Sequence, residues 1–169
     1  MQPIYNDKAR FDYEILETFT AGMVLSGFEV KAIRTGKASI KGSYVKIFNK
    51  EAYLVGATIA PYQPGNAPKD YDDQRTRKLL LKRSELKYLI DKSDERGLTL
   101  VPLKIFDAHG LLKLEIGIAR GKKKYDKRET IKKRDVKRTI SRELKSWHIR
   151  LLMLVYIHAD VRTVSGFLN

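Results

Sequence analysis

Short stretches of alternating hydrophobic and polar residues recur along the first 119 positions and predict β-strands. In residues 43–48, Tyr44, Lys46 and Phe48 would face one side of a strand, and the two residues between them the other. Asn49-Lys50 is a tight polar turn that predicts a hairpin with residues 52–59. The other predicted strands are residues 13–19, which end at Ala21-Gly22, residues 76–81, and a pair at 98–106 and 111–119 joined across 107–110.

Two segments place apolar residues at helical spacing. The first covers residues 25–33, and Gly36 is its expected C-terminal stop. The second covers residues 84–95, with Ser84 as the expected N-cap and Gly97 as the end. Between the strands, residues 61–73 carry three prolines, a glycine and three aspartates, which predicts a loop.

Many short strands with interposed helices predict a mainly β fold. We expect an OB-type closed antiparallel β-barrel with two or three short helices, because closure leaves no long unpaired edge. The pattern alone also allows another α+β roll. The chain has 169 residues, enough for one domain with a substantial core.

Positive charge is concentrated in one segment. The formal net charge is +14, and residues 120–145 hold 13 Lys/Arg against 4 Asp/Glu. We therefore expect three parts: a barrel domain over residues 1–120, a basic tail over 121–146 and an apolar extension over 147–169. The charge favours a polyanion such as RNA as partner, although a merely soluble basic protein remains an alternative. The tail is either an arm that orders on RNA or a disordered solubility segment.

Signals for enzymatic chemistry are sparse. The sequence has no cysteine, its three histidines lack metal-ligand spacing, and it contains no Walker or nucleophile-elbow motif. We expect neither an enzyme nor a cofactor, with a metal-dependent nuclease as the open alternative. The first ten residues form no signal peptide, and the longest apolar run, residues 151–157, is too short for a bilayer, so we expect a cytoplasmic protein.

Basic and aromatic residues offer contacts for RNA. In residues 75–83, Arg77 and Lys78 are expected to bind phosphates while the leucines pack inward, although an ordinary strand with a solvated face is an equal alternative. Six tyrosines could stack on bases or pack in the core: Tyr5, Tyr13, Tyr44, Tyr53, Tyr62 and Tyr71.

A set of segments, read in order, resembles the SmpB (small protein B) family over residues 6 to about 145. The segments are Asn6-Asp7-Lys8-Ala9-Arg10, Ala21-Gly22, residues 27–34 (GFEVKAIR), Ser43-Tyr44-Val45, residues 76–81 (TRKLLL), residues 119–123 (ARGKK) and residues 125–128 (YDKR). Each segment is weak alone, but their shared order and spacing form a specific signature.

The resemblance implies an OB-type barrel that binds the tRNA-like part of tmRNA and delivers it to stalled ribosomes for trans-translation. It also implies that the basic tail becomes helical in the mRNA channel near the small-subunit decoding centre. The expected partners are tmRNA and the ribosome, with no membrane or small-molecule substrate, and the protein is expected to be a monomer. The alternative is a general single-strand RNA-binding OB-fold protein.

The resemblance and the basic segments together yield two sets of expected site residues. The RNA-binding set is Asn6, Lys8, Arg10, Thr20, Arg77, Lys78, Leu80, Lys113, Arg120, Gly121, Lys122 and Lys123. The ribosome-binding set in the tail is Lys124, Tyr125, Asp126, Lys127, Arg128, Lys132, Lys133 and Arg134.

The sequence departs from the family pattern at two places. Thr20 stands where the family usually has a glutamate implicated in RNA binding, and its hydroxyl can accept a hydrogen bond but carries no charge. Family tails usually stay basic, whereas residues 147–169 turn apolar. These residues could be a lineage extension, a helix that packs on the barrel or on a protein, or an altered reading of the gene. We expect no family-typical role for residues after 146.

Overall fold

The computed structural model describes residues 1–63, 65, 68, 70–123, 125, 128 and 139–140. The chain divides into two compact units, residues 1–123 and residues 124–169. Three α-helices lie in the first unit: α1 (Asp7–Asp12), α2 (Gly27–Arg34) and α3 (Arg83–Ser93). Its strands are β1 (Ile4–Tyr5), β2 (Tyr13–Met23), β3 (Ala38–Ser39), β4 (Tyr44–Phe48), β5 (Glu51–Val55), β6 (Thr58–Ile59), β7 (Arg77–Leu80), β8 (Leu98–Ala108) and β9 (Leu111–Gly121).

One antiparallel sheet contains seven of these strands, and the expectation of a mainly β fold is confirmed. Its strand order is β1-β8-β9-β2-β7-β5-β4, and β3 and β6 form a separate two-stranded ladder. The sheet curls so that β4, at one edge, approaches β8. No hydrogen-bonded pairing joins these two strands in the described part of the chain. The structure therefore shows a curled antiparallel sheet, and the predicted closed barrel is not observed.

Two tight hairpin turns set the register of the sheet. Asn49 and Lys50 both have positive φ, 48° and 58°, as a two-residue type I′ turn requires, and the predicted hairpin is confirmed at this turn. Its second strand was predicted to reach residue 59, but it ends at Val55, and Thr58–Ile59 pair with β3 instead. His109 and Gly110 form a second such turn, with φ of 54° and 80°. Because this turn takes only two residues, β8 extends two residues further than the sequence predicted. Strand β9 also extends two residues beyond its predicted end, at the end far from the turn.

Strand β2 runs through the predicted break at Ala21-Gly22 and ends at Met23. Ala21 is fully buried, and Gly22 pairs with strands on both sides, opposite Leu80 of β7 and Lys113 of β9. The prediction that these two residues end the strand is therefore wrong, because hydrogen bonding on both edges offsets the poor strand propensity of glycine.

Helix α2 confirms the predicted helix but begins two residues later than predicted, and Gly36, with a φ of 79°, follows its end. Helix α3 begins one residue earlier than predicted, so the assignment of Ser84 as N-cap is wrong. Lys82 occupies that position, and its backbone N–H donates to a Glu85 carboxylate oxygen at 3.1 Å. The sequence did not predict α1, which has only six residues.

The core has two parts. The main cluster combines residues from the sheet with Ala32 and Ile33 of α2 and Leu89 of α3, all fully buried. A smaller cluster forms where α1 packs on β8 and β9, and it consists of Ala9, Val101, Leu103 and Ala119. Helix α1 therefore covers one end of the longest hairpin.

A buried ion network joins α2 to β7 and to the segment before it. The Glu29 side chain is fully buried and accepts hydrogen bonds from Arg77 Nε at 2.9 Å, from Arg75 Nε at 3.0 Å and from the Ser26 backbone N–H at 2.8 Å. Arg75 also pairs with Glu29 through its Nη2 atom. This network fixes the start of β7 against the helix.

The guanidinium of Arg77 is fully buried, and each of its five N–H groups has an acceptor. Besides Glu29, it donates to the carbonyl oxygens of Ala57 (2.6 Å), Arg75 (2.9 Å) and Asp73 (2.8 Å), and to the Tyr71 hydroxyl (3.1 Å). Complete pairing offsets the cost of removing the cation from water.

Replacement of Arg77 by alanine is expected to lower the free energy of unfolding by about 3–5 kcal/mol, because the buried charge of Glu29 would lose its fully buried partner. Urea unfolding followed by circular dichroism measures this loss. Lys78→Ala, at the exposed neighbouring position, serves as the control and should change stability little. An Arg77→Ala variant as stable as Lys78→Ala would contradict the role of the network.

The same network predicts a pH dependence. Burial raises the pKa of Glu29, but hydrogen bonds from Arg75, Ser26 and Arg77 and the charge of Arg77 outweigh burial, and the pKa is lowered. The ionised carboxylate therefore stabilises the fold at pH values above 4.5, the ordinary value, and this contribution is lost as the pH falls toward the lowered pKa. We expect the stability difference between the wild type and Glu29→Gln to shrink below pH 4.5. Urea unfolding from pH 7 to pH 3 measures it, and a constant difference would exclude the effect.

Candidate nucleic-acid interface

Asn6 anchors α1 to the sheet. Its Oδ1 atom accepts a hydrogen bond from the Ala9 backbone N–H at 3.1 Å, and its Nδ2 atom donates to the Pro102 carbonyl at 2.9 Å. Its own backbone N–H donates to the Leu103 carbonyl at 2.8 Å. Asn6 is only 2% exposed. Its side chain therefore caps and positions α1, and α1 presents Lys8 and Arg10 to solvent.

The end of β9 meets α1, which brings together two basic segments far apart in sequence. Lys122 donates from its backbone N–H to the Asp12 carbonyl at 3.0 Å. Its Nζ donates to the carbonyl of Arg10, 112 residues away, at 3.1 Å. We call the resulting surface the α1–β9 basic patch, and it consists of Lys8, Arg10, Arg120, Lys122 and Lys123. Sequence reasoning named these residues, and the two contacts of Lys122 place the end of β9 beside α1.

A second group of predicted residues lies across neighbouring strands. Leu80 of β7 is opposite Gly22 of β2, and Gly22 is opposite Lys113 of β9. Leu80 is 54% exposed, and a β-carbon on Gly22 would lie 3.4 Å from the Leu80 β-carbon. We call Leu80, Gly22 and Lys113 the central row; they line a groove of about 270 Å³. An exposed leucine beside a lysine suits contact with a nucleotide through both apolar and phosphate interactions.

Thr20 lies one alternating position from the central row. It is exposed and pairs with Glu115 of β9. Glu115 in turn forms a salt bridge of 2.8 Å with Lys104. At this pair of facing positions, β9 therefore supplies a carboxylate, Glu115, and β2 supplies a hydroxyl, Thr20.

The phosphate contact expected of Arg77 is wrong, because its guanidinium is fully buried in the ion network. The expectation that the leucines of this strand all pack inward is also wrong: Leu79 is 3% exposed, whereas Leu80 points outward. Lys78 does reach the surface. Its Nζ pairs with Glu51, which raises the pKa of Lys78 and lowers the pKa of Glu51.

The six tyrosines divide between packing and exposed positions. Tyr71 packs its ring edge-on against Phe28, with centroids 4.8 Å apart, and its hydroxyl lies 2.7 Å from the Ile59 carbonyl oxygen. Tyr13 packs against the smaller core cluster. Tyr53 is half-buried, and its hydroxyl donates to Glu51 at 2.6 Å. The exposed tyrosines are Tyr5, Tyr44 and Tyr62.

Most of the predicted tail residues lie outside the described residues: Lys124, Asp126, Lys127, Lys132, Lys133 and Arg134. Tyr125 and Arg128 are described and have helical backbone and exposed side chains. Their predicted contact with the ribosome stays a prediction.

The described residues contain no group of three or more histidine or acidic side chains that could hold a metal ion. Within the same residues, no helix is long and apolar enough to cross a membrane.

Comparison with known proteins decides the family. The family model described as "SmpB protein" matches residues 4–146. The chain belongs to the SmpB family. An "SsrA-binding protein" of Acetivibrio thermocellus is 52% identical over 140 residues, which cover 83% of this chain and 90% of that protein. An "SsrA-binding protein" of Acaryochloris marina is 49% identical over 140 residues, with coverages of 83% and 91%.

A solved structure of an SmpB chain supports the same assignment. It is called "tmRNA-SmpB: a journey to the center of the bacterial ribosome", and its chain is 44% identical to this one with a TM-score of 0.61. The match covers 78% of this chain and 95% of that chain.

Sequence reasoning missed Glu29 and Tyr71 as partners of Arg77, and it missed the capping role of Asn6. One signal was available for Asn6, because asparagine followed by an acidic residue in the first turn marks a helix start. A second signal was available for Glu29. It occupies a position on the apolar face of the predicted α2, and a charge buried there needs a charged partner.

Two variants separate positioning from direct contact in the α1–β9 basic patch. Lys8→Gln should weaken RNA binding and reduce the slope of log affinity against log salt by about 0.7–0.9, with unchanged stability, if Lys8 pairs with one phosphate. Asn6→Ala should lower the free energy of unfolding by about 0.5–2 kcal/mol through loss of the cap. It should weaken RNA binding without changing the salt slope.

Fluorescence anisotropy with a labelled RNA at several salt concentrations, together with urea unfolding, gives both quantities. If the slope of log affinity against log salt concentration were the same in Lys8→Gln as in the wild type, Lys8 would not be a phosphate contact.

Proposed function

We propose that this protein binds the tRNA-like domain of tmRNA (SsrA RNA) and delivers it to stalled ribosomes for trans-translation. The observation that carries the proposal is the 52% identity, across 83% of the chain, to a protein named for SsrA binding. The solved relative's association of SmpB with tmRNA and the bacterial ribosome supports the second half of the proposal.

The geometry offers two surfaces for the RNA. The α1–β9 basic patch supplies cations for phosphates, and the central row supplies an exposed leucine beside Lys113. Together they suit recognition of a folded RNA by shape and backbone, with little dependence on base sequence. We further infer that the curled sheet is an OB-type barrel in which the approach of β4 to β8 provides the closure.

The basic segment is the proposed ribosome-binding part. Its 13 Lys/Arg against 4 Asp/Glu would allow it to lie along ribosomal RNA in place of the absent codon–anticodon helix. The protein would act by binding alone, with no covalent step, in the cytoplasm where its partners work.

Deletion of all residues after Lys123 should leave tmRNA binding largely intact, because both proposed RNA surfaces lie in residues 1–123. The same deletion should abolish peptide tagging on stalled ribosomes. Anisotropy with the tRNA-like RNA and a reconstituted tagging reaction measure the two effects. Loss of tmRNA binding on truncation, with no effect of substitutions in the α1–β9 basic patch, would overturn this division.

A control is needed against the alternative of a general single-strand RNA-binding protein. At one fixed, moderate salt concentration, an unlabelled L-shaped RNA should compete for the protein more strongly than an unstructured RNA of equal length. Equal competition by both RNAs would favour the alternative.

A further inference from the structure

Strand β4 presents two aromatic rings to solvent. Tyr44 is 47% exposed and Phe48 is 61% exposed, whereas Val45 between them is 6% exposed and packs in the core. Alternation along the strand therefore places Tyr44, Lys46 and Phe48 on the outer face of the sheet. At two residues per repeat, successive outer side chains are about 7 Å apart. A folded protein rarely leaves such rings together at its surface without a partner.

The neighbouring strand completes this surface. Lys46 is directly opposite Tyr53 of β5, and the Tyr53 ring is held in place by the hydrogen bond from its hydroxyl to Glu51. We call Tyr44, Lys46, Phe48 and Tyr53 the aromatic platform. They line an open hollow of about 450 Å³ together with Val55 and Thr76. The hollow gives a flat ligand room to lie against the rings.

The charge around the aromatic platform is positive. Among the residues that the structure describes, neither Lys46 nor Lys50 forms a salt bridge, and both are exposed. Glu51 is the acidic residue of this hairpin, and Lys78 neutralises it. An anionic partner would therefore gain two cations, whereas an apolar protein segment would cover Lys46 without supplying a counter-charge.

We propose that the aromatic platform binds single-stranded RNA. One base would stack on Tyr44, the base two nucleotides along the chain would stack on Phe48, about 14 Å away, and a phosphate between them would pair with Lys46. Stacking requires unpaired bases, because bases in a duplex already stack on one another. The site is distinct from the central row and the α1–β9 basic patch, and none of its residues belongs to either set.

The aromatic platform connects to the α1–β9 basic patch through one residue. Tyr44 also lines a cleft of about 370 Å³ whose walls include Lys8 and Tyr13. A strand of RNA leaving Tyr44 would therefore reach the lysine at the start of α1. The inference adds a contact for unpaired nucleotides to a protein whose proposed main ligand is folded, and it does not depend on that proposal.

The test compares two labelled oligomers of about eight nucleotides, a single-stranded oligoadenylate and an abasic oligomer with the same phosphates, on the full chain at one salt concentration. The wild type should bind the oligoadenylate more tightly than the abasic oligomer. Tyr44→Ala and Phe48→Leu should each weaken oligoadenylate binding at least about fivefold and leave abasic binding unchanged. Tyr44→Phe, which keeps the ring, should bind like the wild type, and Lys46→Gln should weaken binding of both oligomers.

Equal affinity of the wild type for the two oligomers would overturn the proposal. This comparison uses the wild type alone, so it does not depend on whether any variant folds. Equal weakening of both oligomers by Phe48→Leu would also overturn it, because leucine keeps the apolar surface and removes only the ring. Binding of the L-shaped RNA, measured on the same proteins, reports on the proposed main function. If the protein showed no preference for the L-shaped RNA, the proposed main function would fail, but the comparison of the two oligomers would still test the aromatic platform.

Discussion

The carboxylate of Glu29, held between Arg75 and Arg77, fixes the part of the sheet on which the surface depends. Side chains alternate along a strand, so the inward position of Arg77 places Leu79 inside and Lys78 and Leu80 outside. A slip of one residue in β7 would exchange the two sets, burying Lys78 and exposing Arg77. Five acceptors arranged for one guanidinium make that slip costly, because no lysine or leucine could satisfy them. The network thus specifies which side chains of β7 face the solvent.

A similar division holds at α1. Asn6 uses its side-chain oxygen and nitrogen inside the fold, and Lys8 and Arg10 reach solvent because Asn6 fixes the helix on β8. Six residues would not form a stable helix alone, since few internal hydrogen bonds offset the ordering of the backbone. The N-terminal motif therefore combines a buried residue, Asn6, which positions α1, with two exposed basic residues, Lys8 and Arg10.

The sequence predicted what depends on local pattern. The alternation in β4 correctly placed Tyr44, Lys46 and Phe48 on one face of the strand, and the Asn49-Lys50 turn correctly marked the hairpin. The sequence-based predictions failed where a residue far away in the sequence determines the local structure. Arg77 is buried because Glu29 lies 48 positions away in sequence and opposite in space, and alternation in β7 cannot show which face has that partner. Likewise α1 depends on Pro102, 96 positions from Asn6, and the approach of β4 to β8 depends on the curl of the whole sheet.

Thr20 illustrates how the register constrains the chemistry of the surface. Its facing residue is Glu115, already paired with Lys104, so a glutamate at position 20 would set two carboxylates directly opposite each other. Like charges at facing positions destabilise a sheet, whereas a threonine hydroxyl accepts hydrogen bonds without repulsion. The nearby cation of the central row, Lys113, lies on the same strand as Glu115 and faces Gly22, which carries no side chain to cover it. A hydroxyl in place of a carboxylate at position 20 is therefore compatible with this surface. The neighbouring strand β9 still supplies an acidic side chain, Glu115, and a basic side chain, Lys113.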